Sequence, residues 1–360
     1  MAVILTPLQK RAQVKLPNRE YNYTFDRKTG FFMRWGKTPD DDPDFSPVGP
    51  EIADIEISTI CHQNCPWCYK SNTAQGKNMT FEQFKEIFHK LPPYVCQIAF
   101  GIGSIDANPD LWQIMHYCRD NAVVPNITIN GYRMKSGDCS DWVELARVCG
   151  AVAVSNYDKD ICYGAVQKLA DRILYNFEDE TLCQVNIHQL LCENTYNKCM
   201  ELLDDAKNDV RLSHLNAVVF LIMKPKGKRN HFQQLKDMTK YRALIDKAFA
   251  LNVPIGFDSC TAPSFLRAVK DHPNYKQLKQ IAEPCESTCF SIYIDVEGKA
   301  WPCSFSAGEP GIEPIDLKTT NNFLRDVWYS PQFRDFRGKL LASQCQNGCR
   351  QCPIYDLEIT

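Results

Sequence analysis

The sequence predicts an α/β protein: a partial (β/α)6 TIM-like barrel followed by a small cysteine-rich module of a β-hairpin and a helix. Two observations carry this. Short apolar strands alternate with amphipathic helical stretches six times between about residues 53 and 251, which argues for a parallel sheet with crossover helices. Six units are too few for the eight of a closed barrel. The cysteines also gather at two places, three at 61–68 and six between 285 and 352.

Residues 21–36 alternate aromatic and polar side chains around Lys28-Thr29-Gly30, a hairpin pattern, and an acidic, proline-containing linker follows. "ADIEIS" reads as the first strand of the barrel. Thr80 and Gln83 form a capping box ahead of the first helix. "VCQIAFGIG" is the next strand, followed by a helix with Asn108 as N-cap and Pro109 at its first position. Strands at 125–131, 151–157, 183–191 and 215–223 alternate with helices at about 140–149, 160–178, 195–208 and 232–251. "VPIGFD" is one more strand. The hairpin at 289–305 turns at Glu297-Gly298, and a helical stretch interrupted at Pro331 precedes the closing cysteines. The expected organisation is an N-terminal extension over 1–50, the barrel over 51–259 and the cysteine-rich module over 260–360.

With 360 residues, 44% apolar and 23% charged, the composition is that of a soluble globular chain. A formal net charge of −2 gives no whole-protein footprint for nucleic acid. The apolar run at the N-terminus, Ala2 to Leu5, is too short for a signal peptide, and no stretch approaches a membrane span. The expectation is a cytoplasmic protein without a membrane partner, whose 18 cysteines serve metal or redox chemistry rather than disulfides. Cys96, Cys118, Cys139, Cys149, Cys162, Cys183, Cys192 and Cys199 read as small buried hydrophobes.

"CHQNCPWCYK" places Cys61, Cys65 and Cys68 after the first strand. A closed zinc site or an ordinary iron–sulfur cluster takes four ligands. Three thiolates therefore leave one metal position open, unless a distant ligand fills it. In parallel α/β folds the chemistry lies where strands end and helices begin, which is where this triplet falls.

C-x3-C-x2-C with Trp67 and Tyr69 flanking the last cysteine resembles the radical S-adenosylmethionine (SAM) enzymes. The resemblance implies a [4Fe–4S] cluster on Cys61, Cys65 and Cys68, whose free iron chelates SAM, with Trp67 and Tyr69 against the adenine. "GIGSIDANPD" resembles the family's Gly-Gly-Glu-Pro stretch, which implies SAM contacts from Gly101, Gly103 and Ser104, although the glutamate is Ser104 here and Asp106 is its substitute. "TING" and "VSNYD" resemble the segments that place Asn130 and Ser155 near SAM. An inward-facing core histidine and a site residue are equal readings of His188.

The C-terminal cysteines resemble the SPASM/Twitch extension of that family: Cys285, Gly298 and Cys303 fit C-x(9–15)-G-x4-C. This implies one auxiliary [4Fe–4S] cluster on Cys285, Cys303, Cys349 and Cys352, with Cys289 and Cys345 as alternates. A second cluster needs Cys260 or non-cysteine ligands, and a zinc ribbon is the other reading of the tail. The resemblance further implies a one-electron reductant such as flavodoxin or ferredoxin and, most often, a peptide or protein substrate.

"MKPKGKRNH" follows the sixth strand and puts Lys224, Lys226, Lys228 and Arg229 on the loop side. Lys224, Lys226 and Arg229 are candidates for holding an anionic substrate, a small molecule or nucleotide included; the plain reading is a solvated basic loop. Cys260 after the next strand is either a hydrogen-atom donor to a substrate radical or a buried thiol. Besides peptide modification, two functions stay open: radical SAM modification of a nucleotide or base, and a non-catalytic iron–sulfur or zinc protein.

Overall fold

The computed structural model describes residues 13–15, 20–38, 41, 43–133, 140–171, 183–343 and 350–360. A small antiparallel sheet of β1 (Gln13–Lys15), β2 (Asn22–Phe25) and β3 (Phe32–Trp35) forms the N-terminal extension, with the expected hairpin between β2 and β3. The parallel sheet then runs in chain order: β4 (Ile52–Glu56), β5 (Gln97–Gly101), β6 (Val124–Ile129), β7 (Ala151–Ser155), β8 (Gln184–Leu191), β9 (Ala217–Ile222) and β10 (Ile255–Phe257). Each is parallel to its neighbour, as alternation with helices requires. Along β8 and β9 every second side chain is buried, so one face packs on the helices and the other lines the interior.

The sheet does not stop at the seventh strand. β11 (Ser291–Ile294) pairs in parallel with β4, Ser291 opposite Ile52 and Ile294 opposite Ile55. β12 (Lys299–Trp301) and β13 (Ile315–Asp316) continue it antiparallel. The cysteine-rich segment is thus built onto the first strand of the barrel, and one sheet crosses the expected boundary at 259/260. Tyr21, Tyr23 and Phe25 of the N-terminal sheet share a core cluster with Cys285, Cys289, Phe290 and Leu340.

Helix positions follow the sequence with three corrections; the helix expected over 160–178 is described as Lys159–Ala170, and 172–178 lie outside the described residues. The capping box is present: the Thr80 hydroxyl accepts from the Gln83 amide, and the Gln83 side chain accepts from the Thr80 amide. The next helix begins at Leu111 with Asp110 as N-cap, not at Pro109. The Asn108 side-chain oxygen accepts from the Asp110 amide (2.9 Å), while its nitrogen donates to the carbonyl oxygens of Ile57 (2.7 Å) and Met79 (2.9 Å). The helix expected over 232–251 starts at Met238, where Asp237 accepts from the Thr239 and Lys240 amides. Pro331 is the first residue of helix Pro331–Ala342, with Ser330 as its cap, so the interruption there is a helix start.

Candidate cluster-binding site

Cys61, Cys65 and Cys68 lie on the loop that leaves the C-terminal end of β4. The loop is pinned from both ends: the Cys61 amide donates to the Thr73 carbonyl (3.0 Å), and the Ser71 amide to that of Cys68 (3.2 Å). Asn64 and Ser71 take left-handed conformations that turn the chain tightly. Gly103, at the end of β5, lies directly on this loop. A Cβ there would stand 2.4 Å from the Ile60 carbonyl oxygen and 2.6 Å from the Cys61 Cβ, so only glycine fits.

The donor chemistry suits a cationic cluster. Burial, then the neighbouring Cys68 and Cys61, push the Cys65 thiol up to about 11. Three thiolates in this loop are therefore mutually repulsive and partly desolvated, and a metal cluster between them relieves both costs. Among the described residues, no three His, Cys, Asp or Glu side chains close together as a bare metal-ion site. The fit thus rests on the donor set and its shared loop.

Trp67 packs against Tyr157 (centroids 5.5 Å apart) and Phe232 (5.3 Å), and its buried indole N–H has no acceptor. Tyr69 turns the other way, onto Phe305 at 4.4 Å. Lys70 enters a buried network: it contacts the Tyr293 hydroxyl and lies 3.3 Å from Glu56, and Tyr293 donates to Glu56 at 2.9 Å. Sequence reasoning missed Glu56, which ends β4 just before the cysteine loop, and Tyr293, which the β4–β11 pairing brings to it.

The other predicted SAM-side residues fall near the same strand ends. Gly101 lies opposite Glu56 in the β4–β5 register. Ser104 donates to Asp106 at 2.6 Å. The Asn130 amide donates to the Gly103 carbonyl at 2.7 Å and so holds the segment that presses on Cys61. Ser155 is buried beside Tyr157, with which it shares a hydrogen bond. Burial alone lowers His188 to about 4; its Nδ1 is 3.4 Å from the Thr128 hydroxyl.

A second group of thiols lines a cavity of about 240 Å3 between the barrel and β11–β12. Cys285, Cys303 and Cys352 face it, and so does Cys260, from the turn after β10. Burial pushes Cys303 up to about 11 and raises Cys285 and Cys260, each further raised by another thiol of the group. This donor set also suits a cluster. Cys289 is not among the residues that line this cavity; it is buried in the core cluster under the N-terminal sheet that also holds Cys285, with Arg350 and Arg337 nearby. Cys345 and Cys349 lie outside the described residues, as does Cys139. The remaining scattered cysteines are buried, as small hydrophobes would be.

The basic loop after β9 is tied into the chain. Lys224 is buried against Asp258 and lies 4.7 Å from the Phe305 ring centroid. Lys226 donates to Glu309 and to the Ala307 carbonyl, both at 2.7 Å. Arg229 donates to the Asn72 carbonyl at 3.1 Å.

Residues 285–353 match the SPASM family, an iron–sulfur cluster-binding domain. Among solved structures, the fold is similar to that of SuiB from Streptococcus suis bound to S-adenosylmethionine, at 14% identity over 85% of this chain and 74% of that one, with a TM-score of 0.60. SuiB bound to its precursor peptide SuiA matches at 14% identity over 81% and 67%, also with a TM-score of 0.60. No curated protein matches the sequence. The SPASM match lies in the cysteine-rich segment, and at this level of identity the likeness to SuiB is one of fold, with the C-x3-C-x2-C loop at the first strand end of the parallel sheet. Among the described residues, no helix is long and apolar enough to cross a membrane.

Proposed function

We propose that this chain is a radical SAM enzyme with a SPASM module and that it modifies a peptide or protein by hydrogen abstraction. A [4Fe–4S] cluster held by Cys61, Cys65 and Cys68 would supply the electron that cleaves bound SAM to a hydrogen-abstracting 5′-deoxyadenosyl radical. The chain positions the reactants around it. Gly103 and Asn130 fix the cysteine loop, and Trp67 offers a ring and an unpartnered N–H on the SAM side. Cys285, Cys303 and Cys352, joined by Cys260 or Cys349, would hold the auxiliary cluster.

The observation that carries the reading is the placement of both thiol groups beside β4, one on the loop at its end and one in the cavity lined by its Ile52 and Asp54. The choice of a peptide draws on SuiB, which has been crystallised with a precursor peptide. The internal partners of Lys224, Lys226 and Arg229 weaken the case for an anionic substrate at that loop. Reconstituted protein is offered separate peptide and nucleotide fractions from cells grown in deuterated medium. Deuterium in the recovered 5′-deoxyadenosine is expected with the peptide fraction. Deuterium only with the nucleotide fraction would overturn the substrate class.

A further inference from the structure

We infer that the loop 224–230 is a strap through which the SPASM domain positions the Cys61–Cys68 loop, with Lys226 and Gly227 as positioning residues. The inference rests on the reading of Cys61, Cys65 and Cys68 as the SAM-side cluster site.

One side of the strap touches the cysteine loop. Gly227 has φ +103°, and a Cβ there would stand 2.3 Å from the Cys68 carbonyl oxygen and 3.0 Å from the Tyr69 Cα. The next two residues fasten the end of that loop: the Lys228 amide donates to the Ser71 hydroxyl (2.8 Å) and Arg229 to the Asn72 carbonyl (3.1 Å). The other side reaches the C-terminal cysteine-rich segment through Lys226. Lys226 reaches Glu309 and the Ala307 carbonyl, and Glu309 also accepts from Tyr355 at 2.6 Å. The amide of Tyr355 in turn points at the Cys352 sulfur, 3.5 Å away.

The strap is internally rigid. The Asn230 side chain donates to the carbonyls of Lys224 and Lys226, both at 3.0 Å, closing the turn that carries Gly227. Lys226 and Glu309 are mostly shielded from solvent, their side chains 14% and 25% exposed, so the pair is less screened than a surface bridge. A displacement of Lys226 is therefore passed, one residue along, to the backbone that abuts Cys68.

The test uses the full chain, reconstituted with iron and sulfide, and a charge exchange. Lys226→Glu and Glu309→Lys are made singly and together. The readout is the SAM-responsive electron paramagnetic resonance signal, which reports the Cys61–Cys65–Cys68 site alone, followed while an iron chelator strips it. Each single variant should lose that signal about tenfold faster than wild type, the equivalent of about 1.4 kcal/mol on the barrier. The double variant should return toward the wild-type rate, which general damage to the fold would not do. Lys226→Met keeps the side-chain stem without reversing its charge, so it should show the same acceleration in milder form if either reversal fails to fold. Wild-type rates in the single variants and in Lys226→Met, or no recovery in the double variant, would overturn the strap. A wild-type protein with no SAM-responsive signal would instead overturn the cluster assignment on which it rests.

Discussion

The ring of Tyr69, the residue after Cys68, stacks on that of Phe305, two residues beyond Cys303, with centroids 4.4 Å apart. The two cysteine-bearing segments are therefore in direct contact, and loss of the shared Phe305 ring should be felt on both sides. Phe305→Ala removes the stack and part of the auxiliary cavity wall. Because Phe305 is only half-buried, a loss of about 2 kcal/mol is expected, below the 3–5 kcal/mol of a fully buried phenylalanine. Chemical denaturation measures it, and iron counts on the same samples should fall at both sites. A loss confined to the auxiliary iron would contradict the shared contact.

Gly103→Ala drives a methyl group into the Ile60 carbonyl and the Cys61 Cβ. Overpacking of this kind costs about 1–3 kcal/mol, and relief must come from the cysteine loop. Iron at the Cys61–Cys65–Cys68 site should drop while the auxiliary iron stays. Full iron at both sites in this variant would mean that the loop can retreat without losing its geometry.

Arg34 ties the N-terminal sheet to the rest of the chain. Its guanidinium meets Glu51 (2.8 Å), Glu283 (2.8 Å) and Glu286 (2.9 Å) and lies 3.7 Å from the Phe290 ring centroid. Arg34→Ala leaves Glu51 buried without its cation and should cost about 3–5 kcal/mol in urea unfolding. A loss under about 1 kcal/mol, typical of an exposed pair, would show that the N-terminal sheet is only loosely attached.

Asp54 faces the auxiliary cavity, and burial, with Glu286 adding to it and Lys70 opposing, pushes its carboxyl up to about 7. The folded chain therefore holds a proton that the unfolded chain releases near its ordinary value of about 4. The contribution of this group to stability is full below about pH 4 and is lost as the pH rises toward 7. In metal-free protein, Asp54→Asn should remove this slope and be the more stable form at neutral pH, by an amount on the order of a few kcal/mol. Equal slopes in thermal unfolding between pH 4 and 7 would contradict the burial of this charge.

What could be read in the sequence was local. The spacing of Cys61, Cys65 and Cys68 fixes three thiols on one loop, and Thr80 with Gln83 caps a helix through bonds three residues apart. Gly298 sits in the hairpin turn, and Cys303 follows two residues after the strand that leaves it. What could not be read depends on contacts across the chain. Nothing local in "SIYI" says that it will pair with β4, so the Lys70–Glu56–Tyr293 network was invisible. The charge of Lys226 is legible but its partner Glu309 is not, so a loop that reads as open to a substrate turned out to be engaged internally. Asn108 misled in part: its oxygen does accept from the Asp110 amide, but its nitrogen bonds Ile57 and Met79, and the helix itself starts only at Leu111.

The central claim, that Cys61, Cys65 and Cys68 carry the cluster that cleaves SAM, is tested most directly by 5′-deoxyadenosine formation. Protein reconstituted without oxygen is supplied with SAM and dithionite beside a variant with all three cysteines changed to Ala. Two clusters predict about eight irons in the wild type and about four in the variant. The wild type should form 5′-deoxyadenosine and the variant none. Product from the triple variant at the wild-type rate would contradict the account.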